Sequence, residues 1–187
     1  MTTSSMTADQ IAALKYPPPA GNDVEILLGS LERMRRTFSW KAAGVADEQS
    51  RTVTVGTSTL TLSGLLKHLT YCEYDCFMGR FLHVQPPGPP DTRAHEDWYF
   101  TPAADETPQV LLAGWQQATR TSREIVADAL ATAPGLDTPG RLTWPDGRTQ
   151  TLRAIITDLI EEYGRHTGHA DLIRESIDGV VGEDPPD

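Results

Sequence analysis

Four long stretches of the sequence carry apolar side chains at intervals of three and four residues, the spacing that places them on one face of an α-helix. These stretches cover roughly residues 24–38, 62–77, 108–129 and 150–178. A chain of 187 residues can bury a core within one domain. Because strand-like patterns are few and short, each apolar face is best covered by another helix. The sequence therefore predicts an all-α fold, a four-helix bundle with at least one long crossover loop.

Residues at the ends of these stretches have the chemistry of helix caps. Asn22 is the predicted N-cap of the first helix, and Thr107 is that of the third, followed by Pro108 in its first turn. Gly179 is the predicted glycine that ends the fourth helix.

The remaining segments define the predicted limits of the domain and its connections. Residues 1–21 are interpreted as a flexible N-terminal arm, residues 22–182 as the bundle, and residues 183–187 as a polar tail. Residues 52–62 alternate polar and apolar side chains, which favours a short extended stretch or a small hairpin. Residues 145–147, with the sequence PDG, predict a turn.

The proline-rich segment 84–106 is the longest predicted connection, and such loops often cover functional sites. It contains three adjacent aromatic residues, Trp98, Tyr99 and Phe100. We expect this loop and the first helix to shape a pocket. Trp98, and Trp40 at the end of the first helix, either anchor their segments in the core or line the mouth of that pocket.

The charge and the cysteine content limit the functions and compartments open to this chain. A net charge of −10 disfavours nucleic acid and anionic membranes as partners, because both bind clustered Lys and Arg. The sequence has no apolar run long enough for a membrane span, and its first residues lack the pattern of a secretory signal. Its two cysteines, Cys72 and Cys76, lie within one helical stretch, which favours free thiols in a reducing compartment. We therefore expect a cytoplasmic protein that binds a small molecule.

The fourth helical stretch carries two histidines and a glutamate beside its apolar face. At about 100° per residue, His166 points in the direction of the apolar stripe, and Glu162 and His169 lie to the same side of it, about 40° and 60° away. Imidazole nitrogens and carboxylate oxygens are ordinary ligands of zinc and neighbouring first-row metals. The spacing is compatible with a metal site, and also with core histidines that form hydrogen bonds and a surface Glu–His pair.

The second helical stretch adds His68, which also projects toward an apolar side, next to Leu65 and Leu69. Helical bundles build metal sites from inward side chains on facing helices. Cys72, one turn after His68, is a further candidate ligand, although its place on a leucine stripe is also typical of a small core residue.

Two glycines, Gly164 and Gly168, lie in the middle of the fourth stretch, where each costs about 1 kcal/mol relative to Ala. Both face away from the histidines. Either another segment or subunit approaches the helix closely there, or an exposed surface tolerates them.

Two segments, LLKHL at residues 65–69 and EEYGRHTGHADLIRESIDG at residues 161–179, together resemble the DinB-like superfamily. The resemblance covers residues 23–182. It is strongest to an actinobacterial branch named after a mini-circle protein, which is related to the metal-binding domains of mycothiol-dependent maleylpyruvate isomerases. It implies an up-down four-helix bundle that binds a divalent metal between its second and fourth helices.

The resemblance also implies the ligand set. His68, Glu162 and His166 match the positions of the superfamily's metal ligands. His169 departs from the usual pattern, and the resemblance leaves open whether it replaces a ligand, adds one or orients bound water.

Related bundles use a low-molecular-weight thiol such as mycothiol as a co-substrate. For this chain we expect one zinc or nickel ion, because affinity alone does not select between the two. The resemblance thus implies a metal-dependent S-transferase or isomerase, with two alternatives. One is a non-catalytic, stress-related protein that binds a metal or a small molecule; the other is a metal-dependent hydrolase in which Glu162 or a nearby carboxylate is the base. Members of this superfamily frequently pair, so we also expect a homodimer.

Overall fold

The computed structural model describes residues 6–88 and 98–186, and within these residues the fold is mostly helical. Part of the long connection 84–106 therefore lies outside the described residues. The helices are α1 (Ala8–Ala12), α2 (Asp23–Ala42), α3 (Asp47–Ser50), α4 (Leu62–Tyr74), α5 (Pro108–Leu130) and α6 (Leu152–Asp178). A π-helical segment, Asp75–Phe81, continues α4, a short 3-10 turn covers Gly135–Asp137, and strands β1 (Pro139–Thr143) and β2 (Thr149–Thr151) form an antiparallel pair. None of the described helices is both long and apolar enough to cross a membrane.

The predicted helix caps are confirmed. The Asn22 side chain accepts from the backbone N–H of Glu25 at 3.1 Å, and the Glu25 carboxylate accepts from the N–H of Asn22 at 2.9 Å. This reciprocal pair satisfies two backbone donors that the first turn of α2 leaves free. Thr107 caps α5 with Pro108 in its first turn, and Gly179 ends α6 at a φ of 75°. The fourth helix starts two residues later than predicted, because residues 149–151 form β2.

The four long helices bury their apolar faces against one another. Helix α6 packs along α2 and also contacts α4, and α4 packs along α5. The side chains in their common core are almost fully excluded from solvent, as the periodicity predicts. This core includes Leu28, Leu31, Phe38, Leu62, Leu65, Leu66, Leu69, Trp115, Ile155, Leu159 and Tyr163.

A polar network crosses this core. Arg35 donates to both carboxylate oxygens of Glu73, at 2.8 and 2.5 Å, and to Glu32 at 2.6 Å. The Tyr163 hydroxyl donates to Glu73 at 2.7 Å and accepts from the Trp115 indole N–H at 2.7 Å. These residues come from α2, α4, α5 and α6, so one set of buried hydrogen bonds joins all four long helices.

The N-terminal arm contains a short helix that the sequence did not predict. Its described part contains α1, which is capped by Thr7 and packs against α5 and α2. Ile11 of α1 is 1 % exposed and belongs to the core. A five-residue helix with one buried side chain is too short to show a helical period.

The two short connections differ from the sequence expectation. The predicted turn at residues 145–147 forms, with Gly147 at a φ of 83°, but it closes the β1–β2 hairpin, which the sequence did not predict. Residues 52–61 form no strand, although their side chains alternate. Alternation alone does not supply a partner strand, and no described segment pairs with these residues.

Candidate metal centre

Helices α4 and α6 bring together His68, Glu162 and His166. The Glu162 carboxylate oxygen Oε2 lies 3.3 Å from Nε2 of His166 and 3.6 Å from Nε2 of His68. The centroids of the two imidazole rings are 4.6 Å apart. One donor atom from each residue lies within 4.8 Å of the other two. Among the described residues, this is the one group of three or more His, Cys, Asp or Glu side chains close enough to hold a metal ion.

The helix faces explain this meeting. Residues four apart share one side of a helix, so Glu162 and His166 stack along α6. His166 follows the buried Tyr163 by one turn and is 6 % exposed, whereas Glu162 is half-buried at the edge of the core. His68 follows the buried Leu65 on α4. The cluster therefore has a buried side and a side that solvent can reach.

The donor set fits a first-row divalent cation. Two N or O atoms that bind one tetrahedral zinc ion at about 2.0–2.1 Å lie about 3.3 Å apart, close to the distances found here. Burial lowers the pKa of His68, although Glu162 partly offsets this effect. Burial, together with His68 and His169, lowers the pKa of His166 to about 3. Both imidazoles are therefore neutral near pH 7 and offer a lone pair, the form that binds metals.

His169 contacts the ring nitrogen of His166 that does not face Glu162. The Nδ1 atoms of the two rings are 3.3 Å apart, whereas Nε2 of His166 faces Glu162. The rings are tilted by 64° with centroids 5.2 Å apart. A hydrogen bond between the two Nδ1 atoms couples the tautomers of the two rings and orients the His166 ring.

Cys72 touches the cluster without joining it. Its Sγ lies 3.4 Å from Nε2 of His68, but it is not within reach of all three donor atoms. Burial raises the pKa of the Cys72 thiol well above its ordinary value. A protonated, largely buried thiol is a poor ligand, so the geometry fits the small core residue better than the metal ligand.

An aromatic side chain covers His68. The Phe100 ring stacks on the His68 imidazole, with centroids 4.3 Å apart and planes 17° apart. The Tyr99 ring approaches the same imidazole edge-on at 6.3 Å. The sequence singled out the three aromatic residues as a group but could not show that Phe100 is the one that covers the site.

Two residues of α4 hold this aromatic segment in place. A methyl group added at Gly64 would lie 2.5 Å from the carbonyl oxygen of Phe100, so only glycine permits this approach. Lys67, which is 6 % exposed, donates to the carbonyl oxygen of Thr101 at 3.2 Å and to Glu106 at 2.8 Å. Sequence reasoning missed both residues, although a glycine in the first turn of a helix was a signal for close packing.

The two tryptophans named from the sequence lie elsewhere. The Trp98 ring packs under the Lys67 ammonium at 4.4 Å and meets the Tyr71 ring edge-on at 6.3 Å. Trp40 lines a separate groove between the N-terminal arm, α2 and α5. Phe100, rather than either tryptophan, is therefore the aromatic residue that stacks on a histidine of the cluster.

The glycines of α6 face open space. A methyl group added at Gly164 or Gly168 meets no described atom within 4 Å, and both residues are exposed. No described segment of this chain uses them for a close approach. Within one chain, the explanation that an exposed surface tolerates them fits better.

The family model of the mycothiol S-transferases matches residues 26–179, which include α2, α4, α5, α6 and every member of the cluster. The fold and the cluster define a mostly helical protein in which two histidines and a glutamate lie close enough together to hold a metal ion. Because the match covers most of the chain, the protein belongs to the mycothiol S-transferase family. This agrees with the resemblance to the DinB-like superfamily. Neither curated proteins nor solved structures give a match.

Proposed function

We propose that this protein is a divalent-metal-dependent enzyme that transfers the sulfur of mycothiol, or a similar low-molecular-weight thiol, to an electrophilic small molecule. The observation that carries the proposal is the cluster of His68, Glu162 and His166 in a chain of the mycothiol S-transferase family. A thiol-dependent isomerisation at the same cluster is a variant of this proposal.

Each member of the cluster has a distinct role. His68 and His166 bind the ion through Nε2, and Glu162 binds it through Oε2, the atoms that already face one another. His169 holds the ring of His166 through Nδ1 and is not itself a ligand. Zinc and nickel both suit this set of nitrogen and oxygen donors.

A divalent ion held by these three side chains would supply Lewis acidity, which would favour the thiolate form of the thiol, the reactive nucleophile. The protein excludes a competing nucleophile of its own, because burial keeps the Cys72 thiol protonated. Phe100 covers one face of His68 and limits its rotation. The solvent-reachable side of the cluster, where Glu162 lies, is the entry for the thiol and the electrophile.

The segment after residue 97 forms one wall of the site. Phe100 lines it, and Trp98 anchors the segment through its contact with Lys67. If Trp98 is an anchor, Trp98→Ala should cost about 3–5 kcal/mol of stability with or without a thiol. Unchanged stability with weaker thiol binding would instead place Trp98 in the pocket.

The experiment combines metal loading with thiol transfer. Protein loaded with zinc or nickel is mixed with mycothiol and an electrophilic probe such as monobromobimane, and conjugate formation is followed above the uncatalysed rate. We expect turnover in the wild type, none in His68→Ala, and full turnover in His83→Asn. His83 is the matched control because it lies in a loop at a φ of 55°, which Asn tolerates. A metal-loaded wild type without turnover would favour a non-catalytic binding protein, and thiol-independent ester or amide cleavage would favour a hydrolase.

We also propose the broader organisation that the sequence suggests. The four long helices form an up-down bundle over residues 22–182, with residues 1–21 as an arm and 183–187 as a tail.

The protein acts in the cytoplasm, where its free thiols stay reduced. It pairs as a homodimer, the commonest assembly among soluble oligomers. Light scattering that gives the mass of one chain, 20.5 kDa, at tens of micromolar would contradict the dimer.

A further inference from the structure

A second groove lies between the end of α1, one face of α2 and α5, with a volume of about 530 Å³. It shares no residue with the histidine cluster. Trp40 and Trp115 line it, and the tail contributes Pro185. It is therefore a separate cavity with apolar walls.

Three charged side chains form the floor of this groove. Glu32 and Arg35 are 4 % and 2 % exposed, and Arg123 comes from α5. Glu32 accepts one hydrogen bond from Arg35 and two from Arg123, so its acceptor capacity is largely used. The guanidinium donors are not exhausted. Among the described residues, Nη1 of Arg123 has no hydrogen-bond partner.

The rim adds further unused donors. The Arg36 guanidinium lies over the Tyr16 ring at 4.6 Å, its Nη2 reaches Asp184 only at 3.5 Å, and its Nη1 forms no hydrogen bond with a described residue. Lys15 is exposed and forms no ion pair with a described residue. Of the charged side chains that line the groove, four are cationic and one is anionic. Glu73 and Asp184 lie outside the lining but pair with Arg35 and Arg36. When both carboxylates are included, the groove still has a net positive charge, although the whole chain has a net charge of −10.

The adjoining surface already binds one carboxylate. Asp184 accepts from Arg33 at 3.2 and 3.0 Å and from Arg36 at 3.5 Å. The protein's own tail thus shows that this face of α2 can hold an anion. Guanidinium groups that retain free donors beside aromatic walls suit a ligand with an anionic group and a planar apolar body.

We propose that this groove is a second small-molecule site that binds an organic anion, a carboxylate or sulfonate on a planar apolar body. The anionic oxygens accept from Arg36 and Arg123, Lys15 adds long-range attraction, and the apolar body lies against Trp40. This site is independent of the metal and of the proposed thiol chemistry.

The test uses naphthalene-2-sulfonate as the probe, titrated into the full-length protein by isothermal titration calorimetry. We expect saturable binding of about one probe per chain, weakened about tenfold or more in Arg36→Gln and in Arg123→Gln, because each loses charged hydrogen bonds. Lys15→Gln, an exposed change that cannot unfold the protein, should weaken binding about twofold to fivefold. Asp184→Asn should strengthen binding, since it frees Arg36.

Two controls separate this site from others. His68→Ala should bind the probe as the wild type does, and so should Arg153→Gln, which removes a partly exposed arginine in the first turn of α6 that does not line the groove. Four results would each overturn the proposal. The first two are a wild type that does not bind the probe, and four groove variants that all bind it with wild-type affinity. The other two are binding of the neutral naphthalene-2-sulfonamide as strong as that of the sulfonate, and loss of binding in His68→Ala.

Discussion

The buried network around Arg35 gives the sharpest test of how the four long helices hold together. Arg35 is 2 % exposed and donates to both oxygens of Glu73, which is fully buried. Glu73→Gln keeps the shape of the side chain but removes the charge that compensates Arg35. It also places an amide N–H₂ opposite a guanidinium donor. Glu32 remains as a partner, so the charge of Arg35 is only partly compensated.

The expected cost is that of breaking a buried ion pair from one side, about 3–5 kcal/mol. For a chain of this size, each kcal/mol lowers the melting temperature by about 2–4 °C. Glu73→Gln should therefore melt roughly 6–20 °C below the wild type. Tyr163→Phe, which removes one hydroxyl from the same network, should cost less, about 1–3 kcal/mol.

The assay is thermal and urea unfolding followed by circular dichroism at 222 nm, with metal-free protein throughout. The matched control is Asp146→Asn, which breaks the exposed pair with Arg148 in the hairpin turn and should leave the melting temperature unchanged. A Glu73→Gln variant that loses less than about 1 kcal/mol would refute the reasoning, because removing one of the two carboxylate partners of a buried arginine should cost more than that.

Three further predictions follow from the described contacts. Gly164→Ala and Gly168→Ala should each stabilise the protein by about 0.5–1 kcal/mol in urea unfolding, since an added methyl group meets only open space; destabilisation would reveal a partner that packs there. Gly64→Ala should destabilise it by about 1–3 kcal/mol and increase proteolysis after residue 97, because the new methyl group displaces Phe100; an unchanged protein would show that the segment is not held there. The pKa of His166 falls from its ordinary 6.5 to about 3 in the fold, so its contribution to stability is full above 6.5 and is lost as the pH falls from 6.5 toward 3. Metal-free protein should lose about 2 kcal/mol from His166 between pH 7.5 and 5, and a His166→Gln variant without a smaller loss would contradict this assignment.

The sequence could predict the long helices because each shows its buried face as a repeating pattern. Local cap chemistry at Asn22, Thr107 and Gly179 also marked three of their ends. It could not predict α1, whose single buried Ile11 makes no pattern, nor the hairpin, whose two strands are too short to alternate convincingly.

The site shows the same division between local and long-range information. Spacing within one helix placed Glu162 and His166 together, and an inward position suggested His68, but no spacing fixes the distance between two helices. The stack of Phe100 on His68 depends on a loop whose path the sequence does not encode locally. Arg35 and Glu73 look like interruptions of apolar stripes, and only their pairing across the core explains them. The glycines of α6 attract attention in the sequence, but a methyl group added to either meets only open space, whereas one added at Gly64 would meet the Phe100 carbonyl oxygen.

The central claim is that a divalent metal binds between α4 and α6 through three named side chains. Crystals of protein loaded with zinc, measured at and below the zinc absorption edge, test it most directly. We expect one strong anomalous peak per chain, within bonding distance of Nε2 of His68, Nε2 of His166 and Oε2 of Glu162. His169 should form a hydrogen bond with His166 and should not contact the metal. This metal site would be contradicted by a peak at another place, by a peak coordinated by His169 in place of Glu162, or by zinc-loaded crystals that show no peak.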